Sequence, residues 1–175
     1  MFYKLFFSAM FFLNVSAFGN VFANITSFQA SFEQTITNAS KSVIKYQGEL
    51  YIKDDSKILW QYKTPIIKNV YILDDVAIID EPELEQAIYT KLDKEINLIK
   101  IIKEAEKNSD NSYTATINNI NYEIMLVNNQ ISNISYKDEL ENSVSIDFKN
   151  ITQNHNIEAE IFKFIPPTSY DIIRK

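Results

Sequence analysis

Few side chains in this 175-residue chain can hold a metal, attack a carbonyl or move a proton at neutral pH. There are no cysteines and one histidine, His155. A nucleophilic serine needs a positioned base. His155 falls in the polar stretch Gln153 to Asn156, and no G-x-S-x-G elbow accompanies it, so it reads as an exposed turn residue. No C-x-x-C or H-E-x-x-H spacing offers a metal site. The chain has two glycines, too few for a phosphate-cradling loop. Carboxylates do cluster, at Asp54-Asp55, at Asp74-Asp75 and at Asp80-Glu81 with Glu83 and Glu85. Paired carboxylates can serve glycoside hydrolysis or hold calcium. The first two pairs fall where hairpin turns are expected, however, and Asp is ordinary turn chemistry there. The expectation is therefore no catalytic residue, no metal, no cofactor and no enzymatic activity.

The elements around these residues are mostly strands. Phe28, Ala30 and Phe32 alternate with Gln29, Ser31 and Glu33. The same period of two runs through Ile44, Tyr46, Leu50 and Ile52, and through Ile58, Trp60 and Tyr62. It returns at Tyr122, Ile124 and Leu126, at Ile134 and Tyr136, and at Val144, Ile146 and Phe148. Turn residues separate these runs at 38–40, 54–56, 128–129, 138–139 and 153–154. Short strands with tight turns point to an antiparallel sheet or barrel. Glu95 to Lys107 breaks the pattern. Apolar residues recur there as Ile96, Ile99, Ile102 and Ala105, or as Ile96, Leu98, Ile101 and Ala105, with Lys100, Lys103, Glu104 and Lys107 between. That spacing predicts an amphipathic helix of about three and a half turns, ended by a charged loop at 108–112.

The first residues belong to neither pattern. Lys4 precedes an apolar run from Leu5 to Leu13, and Val21-Phe22-Ala23 offers small residues around a cut. That is the order of a secretory signal peptide. The run is short beside the roughly 20 apolar residues of a membrane-spanning helix. The expected division is a signal peptide over 1–23 and one domain over 24–175. Losing Lys4 takes the formal net charge from −6 to −7, and an acidic domain is repelled by nucleic acid and by anionic membranes. Without cysteine the exported domain has no disulfide and no site for an N-terminal lipid. The Asn-X-Ser/Thr triplets at Asn24, Asn38, Asn133 and Asn150 follow from an asparagine-rich composition. A chain that is 46% hydrophobic and 13% aromatic has material for a real core, more than one helix can cover. A curved sheet either closes and fills itself or leaves a concave face for a ligand, and alternation is identical in the two cases.

Four stretches carry a resemblance. Ser27 to Gln34 is similar to the F-x-A-x-F-x-Q opening of the LolA family. Gly48-Glu49-Leu50-Tyr51-Ile52-Lys53, then Trp60-Gln61-Tyr62 and Pro65, resembles its G-x-L-x-(V/I)-K…W-x-Y…P stretch. Glu81 to Ala87 resembles its P-x-x-x-Q segment. Phe162-Lys163-Phe164-Ile165-Pro166-Pro167 with the ending Ile172 to Lys175 resembles its F-x-F-x-P-P stretch and tail. Together they cover Ser27 to Lys175 in order. The resemblance implies an incomplete antiparallel β-barrel whose helical lid covers an apolar cavity. It implies a monomeric periplasmic carrier of acylated lipoproteins, working between an inner-membrane ATP-driven releasing transporter and an outer-membrane receptor. Phe28, Phe32, Leu50, Ile52, Trp60 and Tyr62 fall on the cavity parity, and Ile96, Leu98, Ile99, Ile101 and Ile102 on the lid. Two departures stand out. Asp54-Asp55 replace the Arg-Pro that helps latch the family's lid, and a cut after Ala23 leaves only Asn24 to Thr26 for its N-terminal helix. The alternatives are a LolB-like receptor, which normally carries a lipid on cysteine, and a self-filled envelope domain that binds a partner.

Overall fold

The computed structural model describes residues 24–53, 57–92, 102, 105–109, 111–117 and 119–175. The predicted signal peptide, the Asp54-Asp55 departure and the lid residues Ile96, Leu98, Ile99 and Ile101 lie outside them. Among the described residues twelve strands form one sheet. In chain order they are β1 (Ser27–Thr37), β2 (Val43–Lys53), β3 (Lys57–Thr64), β4 (Lys68–Leu73), β5 (Val76–Glu81), β6 (Gln86–Lys91), β7 (Glu106–Ser109), β8 (Ser112–Ile117), β9 (Ile120–Val127), β10 (Gln130–Lys137), β11 (Ser143–Gln153) and β12 (Asp171–Arg174). Their spatial order is β12-β6-β5-β4-β3-β2-β1-β11-β10-β9-β8-β7, so the sheet has two free edges and is not closed. β12 pairs with β6 in parallel, whereas the other neighbours are antiparallel. This is the incomplete antiparallel barrel that the resemblance implies.

The sheet curls. Ile72 of β4 and Tyr113 of β8 belong to one buried cluster although six strands separate them in the sheet order. Register makes that cluster continuous. Phe28 stands opposite Ile52, Ala30 opposite Leu50, and Phe32 opposite Gly48, which lays the alternating residues of β1 and β2 on one face. Gly48 is a close-approach glycine. A Cβ there would run into the Gln61 carbonyl and lie 2.9 Å from Phe32 Cε1.

A second, smaller cluster covers the convex face. After β11 the chain crosses the outside of the sheet as a strap. It joins Ile157 and Phe162 to Leu59, Tyr71 and Ile78, then pairs β12 with β6. β4 and β5 are therefore apolar on both sides. Val70 and Ile72 pack into the concave cluster, and Tyr71 and Leu73 under the strap. A strand covered on both faces loses its period of two, which is why neither was legible as an alternating run.

The expected helix does not extend to Lys107. Ile102 is buried and helical and Ala105 is buried, but Glu106 and Lys107 open β7, which pairs with β8. The expected loop at 108–112 is a hairpin instead. The apolar spacing that supports a helix stops at Ala105, and the polar residues beyond it find backbone partners on β8.

Candidate functional site

The concave face divides into a packed half and a half-open one. Phe28, Leu50, Ile52, Ile58, Ile124 and Ile131 form the packed half. Phe28 meets Phe148 edge to face at 5.5 Å, which ties β1 to β11. Ile102, 1% exposed, joins this half. It was expected on the inner face of a lid and sits in the core itself.

Aromatic rings fill the other half. Phe32 meets Trp60 at 5.0 Å and Tyr62 at 5.2 Å, both edge to face. Tyr46 meets Tyr62 at 5.7 Å in the same way, and Tyr122 meets Tyr136 at 5.0 Å. Trp60, Tyr62, Tyr122 and Tyr136 are half-buried and pack against the concave cluster. Tyr62 donates its hydroxyl to Gln34 Oε1 at 3.2 Å, and the Lys68 ammonium lies 4.9 Å from its ring. Burial pushes the Tyr62 phenol up to about 12, with Tyr136 and Tyr46 adding to it. Burial does the same to Tyr136, with Tyr122 and Asp138 adding to it. These phenols stay neutral at physiological pH. They present flat apolar rings with a polar tip, a lining that suits hydrocarbon and offers no acid, base or nucleophile.

The structure thus brings Phe28, Phe32, Leu50, Ile52, Trp60 and Tyr62 onto one face, as their parity predicts. Sequence reasoning left Ile36, Val70, Ile117, Tyr122 and Tyr136 out of that lining, although they pack on it. For the two tyrosines the signal was present, since both lie on alternating runs.

The potential chemical groups lie elsewhere. His155 is half-buried, not exposed as expected. Its Nε2 is 3.0 Å from Gln29 Oε1, and its backbone N–H donates to Ser27 Oγ at 3.0 Å. Ser27 Oγ in turn donates to the His155 carbonyl at 2.7 Å. These bonds pin the start of the strap to β1. Asp74 and Asp75 form the β4–β5 turn. Asp80, 6% exposed, accepts from Asn69 Nδ2 at 2.8 Å across β4 and β5. Among the described residues no three His, Asp or Glu side chains gather where a metal ion could sit. What this face can do is hold an apolar chain without covalent chemistry.

Residues 23–123 match the family model described as outer membrane lipoprotein carrier protein LolA. A protein of Campylobacter jejuni named outer-membrane lipoprotein carrier protein is 38% identical over 159 residues, covering 89% of this chain and 93% of its own. One of the same name from Wolinella succinogenes is 35% identical over 155 residues, covering 88% and 90%. Among solved structures, a LolA superfamily protein from Nitrosomonas europaea aligns with a TM-score of 0.50 at 8% identity, over 81% of this chain and 91% of its own. A DUF1329 family protein from Desulfovibrio piger aligns at 0.52 and 10%, over 81% and 91%. The two structures share the fold.

Proposed function

Because the chain belongs to the outer-membrane lipoprotein carrier family, LolA, we propose that it shields the acyl chains of lipoproteins against its concave face while they cross the periplasm. The observation that carries this reading is the half-open aromatic part of that face. Its rings continue the buried core outward, so an acyl chain laid on them extends the core. Each methylene removed from water is worth about 0.8 kcal/mol, which makes escape of a long chain into water slow. Cargo must then pass directly from one apolar site to another. The carrier therefore takes its cargo from an inner-membrane releasing transporter and gives it to an outer-membrane receptor. It works as a monomer. Residues 1–23 are the signal peptide that exports it, and 24–175 the working domain. Phe32, Trp60 and Tyr62 meet the cargo, and Phe28, Leu50 and Ile52 form the floor behind them. Ile96, Leu98, Ile99, Ile101 and Ile102, the lid face that the resemblance implies, are the further candidates for contact with the cargo.

Trp60→Asp tests this reading. The ring is half-buried, so the sheet survives the exchange while a charge enters the lining. The variant should keep the far-ultraviolet spectrum of the sheet and lose co-purifying lipoprotein. Unchanged retention of lipoprotein would refute the assignment.

A further inference from the structure

The convex face holds an apolar groove that the carrier reading does not use. It lies between the strap and the start of β3 and has a volume of about 520 Å³, within the size range of small-molecule sites. Leu73 and Ile78 come from the sheet, and Phe162, Phe164 and Ile165 from the strap. Phe164 is held by Tyr71, ring centres 5.5 Å apart. Ile165 is 84% exposed at the groove, where nothing in the fold requires a branched apolar side chain.

Lys163 of the strap lines this apolar surface. Lys163 Nζ lies 2.8 Å from Glu160 Oε1. Both side chains of that pair are exposed, and such pairs are weak enough to exchange partners. An apolar trough with an exposed, exchangeable lysine at its side matches a single hydrocarbon chain with one anionic head. Alternation along β3 sets the trough back to back with the concave site, since Leu59 packs under the strap and Trp60 into the concave cluster.

We propose that the groove formed by Leu73, Ile78, Phe162, Phe164 and Ile165 binds a long-chain fatty acid, its carboxylate at Lys163, as a second acyl-chain site on the outer face of the sheet. The site stands or falls independently of the carrier reading. Titrating the purified protein with palmitate isotope-labelled at the carboxyl, followed by NMR, tests it. The expected result is a saturable bound carboxyl signal that persists in Trp60→Asp and disappears when Lys163→Glu and Ile165→Ser are added to that variant. Both added changes fall on exposed side chains, and an unaltered melting temperature verifies the fold. In the Trp60→Asp background Lys163→Met should weaken palmitate by about tenfold, the scale of one charge-assisted hydrogen bond, and leave methyl palmitate unaffected. The proposal is overturned if the bound signal survives in the triple variant Trp60→Asp, Lys163→Glu, Ile165→Ser, if Trp60→Asp removes all of it, or if no saturable binding occurs. It is equally overturned if Ile165→Ser changes the oligomeric state of the protein while palmitate binding stays as it was, for the groove would then be a contact between copies.

Discussion

Gly48 shows how one residue sets the shape of the concave face. β2 pairs with β3 through a register shift between Gln47 and Gly48, and the missing side chain lets the Gln61 carbonyl and the Phe32 ring come close. Gly48→Ala should cost about 1–3 kcal/mol, the usual scale of overpacking, read as a lower urea midpoint. A wild-type midpoint would mean that β3 can move away freely. Tyr62 and Tyr136 make a second prediction. Both phenols are raised to about 12 by burial, above the ordinary value of about 10. The native state therefore holds its protons longer than the unfolded chain. Their contribution is complete below pH ~10 and is lost as the pH rises toward 12, on the order of 2 kcal/mol for each ring. Denaturant titrations across that window should show the decline. Tyr62→Phe should flatten it, and an equal decline in the variant would assign it to other groups.

Turns decide which way each strand faces. With two glycines in the chain, asparagine takes many of the left-handed positions. Asn128 and Asn129 have φ of 52° and 61° in the two-residue turn between β9 and β10, which is the backbone that a tight hairpin requires. The asparagine bias of the composition is therefore partly structural. Asn128→Val should destabilise by about 1–2 kcal/mol, since a β-branched residue tolerates that conformation poorly; thermal denaturation would measure it, and a neutral result would mean that the turn can change type. The loops after β1 and β10 repeat one design. In the first, Asn38 Oδ1 accepts the Ser42 N–H at 2.9 Å, and in the second Asp138 Oδ1 accepts the Asn142 N–H at 2.9 Å. Asn142 holds the Asp138 carboxyl below its usual range, with the backbone N–H groups of Asn142 and Leu140 contributing.

The described strands form one sheet with apolar groups on two sides. The concave side is shared between core and candidate site, and the strap covers part of the other. Phe162 anchors the strap, fully buried against Leu59, Tyr71 and Ile78. Phe162→Ala should cost about 3–5 kcal/mol, and amide exchange should quicken on β4 to β6 and β12. Protection lost evenly over all strands would mean that the strap and sheet unfold as one unit.

Local chemistry explains what was legible in advance. The runs through Phe28, Leu50, Trp60, Tyr122 and Ile146 alternate because one of their faces meets solvent, so an antiparallel sheet and the parity of six lining residues were readable from sequence. Four ordered motifs pointed to the family. Other features depend on contacts between residues far apart in the chain. β4 and β5 show no period of two because the strap, some eighty residues later, covers their outer face. Glu106 and Lys107 become a strand because β8 supplies backbone partners. His155 is half-buried because Ser27 and Gln29 hold it. The concave face is half packed and half open because the sheet curls without closing, a property of strands that meet only in the folded chain.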